Sequence, residues 1–334
     1  MKAVVFTADN VMQHTEVPNP VAQPGELLVK IKAVGICGSD VEGYLGKTGR
    51  RIPPMIMGHE LAGEVAEAPD DSSFSVGQRI TVHPKFFCGQ CEFCRAGQTN
   101  VCPHARFLGV MDNNGGLAEY VTVPERFAIP VDSNIPWEHA CMVEPLAVAY
   151  HAVARIPIEQ LRSARSILVV GAGPIGLLVL QVLKHMGAKN VIVSDLQAVR
   201  RQLALDMGAV ATIDPVNEEL PTDIQLCFEA VGIAAAARQS LQALEFGGTV
   251  VWIGNAEKLI QVNMQDIVTR ELQIVGSYLF TESDFTEALQ LIQSGSIDLA
   301  PMITVEEGLA KGPEVFKTLG SGQRPELIKV VIKV

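Results

Sequence analysis

A chain of 334 residues exceeds the usual single-domain length, so two domains are expected. With 48% hydrophobic and 19% charged residues it can fill sizeable cores, which excludes a disordered chain. Its 26 Lys and Arg against 37 Asp and Glu leave a net charge of −11. That excludes a general nucleic-acid binder, which meets phosphate with basic surface.

The opening MKAVVFTADNV reads as a β-strand and not as a secretory leader. Up to Glu144, short β-runs are separated by Gly and Pro. Leu27–Ile31, Ala62–Ala66, Gln78–Val82 and Ala118–Val123 predict an all-β or barrel-like unit with inserted loops. Cys37, His59, Glu60 and Glu144 say little singly. A lone Cys is commonly a small core residue, a lone His a hydrogen-bonded structural one, and a Glu before Pro145 a helix-start acid. Arg50 and Arg51 read as solvated loop surface, with a pair that grips phosphate or carboxylate as the alternative.

Seven Cys are present, and Cys88, Cys91, Cys94 and Cys102 crowd together as C-x2-C-x2-C-x7-C. This spacing points to a metal in a reducing compartment, hence the cytoplasm, and not to disulfides. Four thiolates suit a closed structural zinc site, while an iron–sulfur cluster is the rival reading.

From Ser166 to about Gly276, short apolar strands alternate with helical segments. Ile167–Val170, Val191–Ser194, Ile224–Phe228, Thr249–Ile253 and Leu272–Val275 predict a parallel sheet covered on both faces. The uncharged stretch from Ile167 to Leu183 is shorter than the ~20 residues of a membrane span, and Gly171-Ala172-Gly173-Pro174 breaks it. No membrane association is expected. Gly171, Gly173 and Gly176 form GxGxxG between a strand and a helix over Pro174–Met186, the context a dinucleotide fingerprint requires. Gly171 permits the turn, Gly173 the approach of a pyrophosphate, and Gly176 close helix–strand packing. Pro174 and Ile175 complete the loop at the helix start, where free N–H groups favour phosphate. Asp195 stands where an acid accepts the ribose hydroxyls, which favours NAD over NADP. Arg200 and Arg201 are the nearby groups able to hold a phosphate. The tail offers one amphipathic helix, Glu282–Ser294, and an apolar strand, Leu327–Ile332, that can rejoin the first domain.

Val34-Gly35-Ile36-Cys37-Gly38-Ser39-Asp40 and Gly58-His59-Glu60-Leu61-Ala62-Gly63, followed in order by the cysteine lobe and GAGPIG, resemble the zinc-dependent medium-chain dehydrogenases essentially end to end. Glu144-Pro145 resembles their polyol branch (sorbitol, sugar-alcohol-phosphate and threonine dehydrogenases). The resemblance implies an α/β plus β fold. A GroES-like catalytic domain would span 1–147 and 279–334, with a Rossmann domain, a doubly wound parallel sheet, inserted at 148–278. It implies two zinc ions per chain. One would be structural, on the four lobe cysteines. The other would be catalytic, on Cys37, His59 and either Glu60 or Glu144, with one exchangeable position. Asp40 resembles the acid that orients the ligand His, and Ser39 the hydroxyl of a proton relay.

The implied reaction is hydride transfer between a secondary alcohol of a polyol or sugar alcohol, phosphorylated or acidic forms included, and NAD. An L-threonine-type or other alcohol dehydrogenase, or a non-catalytic zinc- and dinucleotide-binding protein, are the alternatives. The implied state is a homodimer or homotetramer with a small-molecule substrate. Two departures matter. Glu42 stands where many members carry the His that ends the proton path, and Gly276–Thr281 lacks the Arg typical of sorbitol dehydrogenases, which weakens sorbitol as substrate.

Overall fold

Strand Glu26–Gly35 exposes little of its apolar run and is the hub of a seven-stranded sheet in the computed structural model, which describes residues 1–111 and 113–334. Around it the order is Ala128–Pro130, Arg79–Val82, Glu60–Glu67, Glu26–Gly35, Lys329–Lys333 and Ile303–Glu307, with Tyr120–Pro124 also pairing the hub. Phe6, Leu27, Ile31, Leu61, Ile80, Leu117 and Phe316 are fully buried in the associated core. Each such side chain contributes roughly 1.5–3 kcal/mol of burial free energy. This core belongs to a first unit made of Met1–Glu144, Thr281–Gly295 and Met302–Val334.

Register sets the chemistry of this unit. Gly35 lies opposite both Glu60 and Val331, so three segments distant in sequence meet at one end of the hub strand. The chain then turns at Cys37 into the short helix Gly38–Tyr44.

The second unit comprises Pro145–Phe280 and Ser296–Pro301. Its strands run in the order Ala211–Ile213, Val191–Ser194, Ile167–Val170, Ile224–Glu229, Leu244–Trp252 and Gln273–Gly276, all paired in parallel. The order reverses beside Ile167–Val170, a switch point where such sheets bind ligands at the carboxyl ends of their strands. Ile167–Val170 is buried throughout, as a central parallel strand must be. The doubly wound sheet expected from strand–helix alternation is therefore present.

The tail differs from expectation. Besides Glu282–Gln293, capped by a reciprocal Thr281–Asp284 box, it contains a second helix, Gly312–Ser321, and the strand Ile303–Glu307. Among the described residues, no helix is long and apolar enough to cross a membrane.

Candidate metal centre and dinucleotide site

Cys37 N-caps the helix Gly38–Tyr44, and its carbonyl accepts from the N–H groups of Asp40 and Val41. His59 and Glu60 open the neighbouring strand. Ligand atoms of Cys37, His59 and Glu60 lie within 4.8 Å of one another. Gly35 makes this approach possible, because a methyl there would collide with the Glu60 carboxylate. His59 is buried and packs edge-on against Phe107 at 5.5 Å.

Three buried charges surround this group. Lys329 Nζ donates to Glu60 Oε1 and Oε2 at 2.6 and 2.5 Å and to the Ile36 carbonyl at 3.1 Å. Burial would push Lys329 down, but the charges of Glu60 and Cys37 hold it above its ordinary value. Arg51 meets Asp40 Oδ1 at 2.6 Å, and Ser39 Oγ lies 3.3 Å from Cys37 Sγ. Burial would raise Asp40, yet His59 and Arg51 keep it well below the usual carboxylate range. Arg51 is thus not loop surface: the expectation of a solvated pair holds for Arg50 alone, which is exposed.

Asp40 Oδ2 and His59 Nδ1 face each other at 3.5 Å, both buried and without another hydrogen-bond partner. This directs Nδ1–H at the carboxylate and leaves Nε2 as a lone-pair donor, the arrangement of a metal-ligating His. With a thiolate and a carboxylate alongside, the donor set fits zinc and leaves a coordination position open. Glu144, in the first turn of helix Val143–Ala154, is buried but stands outside the compact donor group. Burial first, then the carboxylates of Glu60 and Asp40, push it up to about 7 against the pull of His59 and Lys329.

The four lobe cysteines also converge within 4.8 Å. Cys88–Cys102, Cys88–Cys94 and Cys91–Cys102 sulfurs are 3.6, 3.9 and 3.9 Å apart. A tetrahedron with metal–sulfur bonds of ~2.3 Å has edges of about 3.8 Å. The cage therefore suits one ion. In a multi-iron cluster the thiolates bind different irons and spread further apart, so the spacing favours a single ion over a cluster. Backbone N–H groups of Cys88, Cys91 and Cys94 point at lobe sulfurs at 3.4–3.5 Å. Arg126 braces the lobe by donating to the Phe87 carbonyl.

In the second unit Gly171 has φ +96°, and Gly176 sits so close that a methyl would strike the Gly171 carbonyl. Gly173 caps helix Pro174–His185, with Pro174 at its start. A methyl on Gly173 would meet only Arg200 Nη1, at 4.0 Å, so space is open there. Asp195 is held by two backbone donors, Ala172 N at 2.7 Å and Gln197 N at 2.8 Å. Arg201 is committed to the Asp195 and Leu196 carbonyls and to Asp214. Of the two arginines, Arg200 is the one beside the glycine loop.

Sequence reasoning missed Lys329 and misplaced Arg51 on the surface. A Lys opening the buried strand of the tail was the available sign for the first. Nothing local marks the second.

Comparison with known proteins identifies the family. Residues 23–133 match the model of the alcohol dehydrogenase GroES-like domain, and residues 174–294 match that of the zinc-binding dehydrogenases. A sorbitol dehydrogenase of Bacillus subtilis is 31% identical over 95% of this chain and 93% of its own length. An L-threonine 3-dehydrogenase of Pyrococcus abyssi is 35% identical over 94% and 93%. The chain belongs to the zinc-dependent medium-chain dehydrogenases. Among solved structures, a zinc-binding dehydrogenase of Sinorhizobium meliloti bound to NADP superposes with a TM-score of 0.90 at 32% identity, covering 100% of this chain and 99% of that one. Membership of this dehydrogenase family brings zinc and a nicotinamide cofactor, and the polyol branch is the one its relatives represent.

Proposed function

We propose that the protein oxidises a secondary alcohol of a polyol or sugar alcohol with NAD, at a zinc held by Cys37, His59 and a carboxylate. The observation that carries this is the convergence of Cys37, His59 and Glu60 beside a buried Asp40. Bound zinc supplies Lewis acidity toward an alcohol oxygen, and bound nicotinamide is the oxidant.

The chain's own groups do the rest. Cys37, His59 and Asp40 keep the donor set oriented. Ser39 Oγ, 3.3 Å from the Cys37 sulfur, takes and passes on the proton the alcohol loses. Glu42, one turn further along the same helix, or solvent is the outer end of that path. Glu60 is the carboxylate within the donor group but is gripped by Lys329, and Glu144 is the buried alternative outside it. Zinc affinities of Glu60→Gln and Glu144→Gln decide which of the two is the ligand.

Asp195 is oriented through backbone N–H groups and would repel a 2′-phosphate, which supports NAD in this chain. Arg200, beside Gly173, is suited to the pyrophosphate. The second zinc is assigned to Cys88, Cys91, Cys94 and Cys102 as a structural ion. Exposed Ile274 on the edge strand Gln273–Gly276, with exposed Met264 and Val268 nearby in sequence, supports a homodimer or homotetramer built on that edge. Seven free cysteines accord with a cytoplasmic protein.

The test is NADH absorbance on adding a panel of polyols, their phosphates and L-threonine. Turnover of at least one secondary polyol is expected. With Arg51 committed to Asp40 and Ser39, Arg50 is the member of the pair left for phosphate recognition. If Arg50→Ala leaves the kcat/KM ratio of phosphorylated to free polyol unchanged, that substrate class is removed. A folded, zinc-loaded protein that forms no NADH with any alcohol of the panel would favour the non-catalytic reading.

A further inference from the structure

Arg51 is a buried side chain with several directed contacts that the proposed reaction leaves without a task. Its side chain is 3% exposed. Nε and Nη2 both donate to Asp40 Oδ1, at 3.0 and 2.6 Å, and Nη2 also donates to Ser39 Oγ at 3.2 Å.

We propose that Arg51 is a positioning residue of the metal centre, fixing Asp40 and Ser39 with one guanidinium and through them His59 and Cys37. The geometry gives each contact a consequence. Because two N–H groups converge on Oδ1, the other oxygen, Oδ2, is the one turned toward His59 Nδ1. That selects the tautomer carrying its proton on Nδ1 and presents Nε2 as the donor. Because the Ser39 oxygen accepts from Arg51, its own hydrogen is free to point at the Cys37 sulfur. A planar fork can serve both partners at once, whereas an ammonium is a point charge without that geometry.

The fold is built to deliver this side chain. Its stem crosses the helix Gly38–Tyr44 at Gly43, where a methyl would collide with Arg51 Cγ. On the other side its backbone bridges to Met111, whose N–H donates to the Arg50 carbonyl at 2.9 Å. Gly43 therefore acts as a slot for the arginine. Alanine is a better helix former than glycine, so a defect in Gly43→Ala would not come from a weakened helix.

The inference rests on the zinc reading given above, and the test separates the two. Zinc affinity is measured by chelator competition for the wild type, Arg51→Met, Arg51→Lys and Gly43→Ala, with zinc on the four-cysteine lobe as the internal sign of a folded unit. The His59 tautomer is read by 15N NMR of labelled histidines in protein that lacks the catalytic ion but keeps the lobe zinc, at a pH alkaline enough for a neutral imidazole. Loss of the partner of a ligating His costs about 10- to 100-fold in metal affinity. Arg51→Met is expected to fall by that much and to lose the single Nδ1–H form. Arg51→Lys should recover part of both, and Gly43→Ala should weaken zinc although no polar group has changed. Wild-type affinity and tautomer in Arg51→Met, or no recovery in Arg51→Lys, would overturn the proposal. If instead Cys37→Ser keeps its full zinc content, the zinc reading is what fails, and the His59 tautomer still judges Arg51.

Discussion

Replacing Lys329 by Met removes the ammonium that both oxygens of Glu60 share, and leaves a carboxylate that is 1% exposed without its partner. Breaking a buried ion pair from one side costs about 3–5 kcal/mol, because the remaining charge can neither rehydrate nor find a new partner. In a unit of about 190 residues each kcal/mol moves Tm by about 2–4 °C, so a fall of roughly 6–20 °C is expected for the first unit. Zinc changes the outcome. With an ion beside Cys37 and His59, Glu60 has another cation within reach, and the zinc-loaded variant should lose less than the chelator-treated one. Glu60→Gln alone should also destabilise, since it strands Lys329. The double variant should recover much of the loss, because the two changes act on one interaction. Differential scanning calorimetry on both zinc states of all four proteins measures this. An unchanged Tm for Lys329→Met in the chelated protein, or a double variant less stable than either single one, would refute the buried pair as a coupled unit.

Cys91→Ser should lower thermal stability through loss of the lobe ion, yet leave the KM for alcohol of the folded fraction unchanged. Steady-state kinetics paired with thermal melts checks it, and a raised KM without a change in Tm contradicts the structural role. Asp195→Asn removes the negative charge that meets the ribose and would repel a 2′-phosphate. A hydrogen bond to a charged group is worth about 1.5–3 kcal/mol, so the preference for NAD over NADP, as a ratio of kcat/KM, should fall by ~10-fold or more. An unaltered ratio would show that cofactor choice lies elsewhere.

The parts that were legible in the sequence are those with local causes. Gly171, Gly173 and Gly176 each answer a backbone demand within six residues, and the helix and strand around them have strong periodic patterns. The lobe cysteines declare themselves by spacing. Cys37 and His59 are different. They meet because Gly35 and Glu60 share a register position, and register is a property of strand pairing that composition does not reveal. Only the resemblance of the surrounding motifs joined them. Arg51 looked like surface because an Arg in a Gly- and Pro-rich loop usually is. Its burial depends on Gly43, eight positions earlier on a helix whose existence gave no hint of a slot. Helix Gly312–Ser321 escaped notice because it is bounded by glycines and buries few side chains, chiefly Val315 and Phe316, too narrow a stripe to stand out as a period. Lys329 escaped notice because a charged residue at the head of an apolar strand normally faces water, whereas here the whole start of Lys329–Lys333 is buried.

Zinc content per chain tests the catalytic site most directly. Elemental analysis of untreated, folded protein should give two zinc atoms in the wild type and one in Cys37→Ser, with alcohol-dependent NADH formation lost in the variant. A single zinc in the wild type that survives Cys37→Ser unchanged would contradict a metal held by Cys37 and His59.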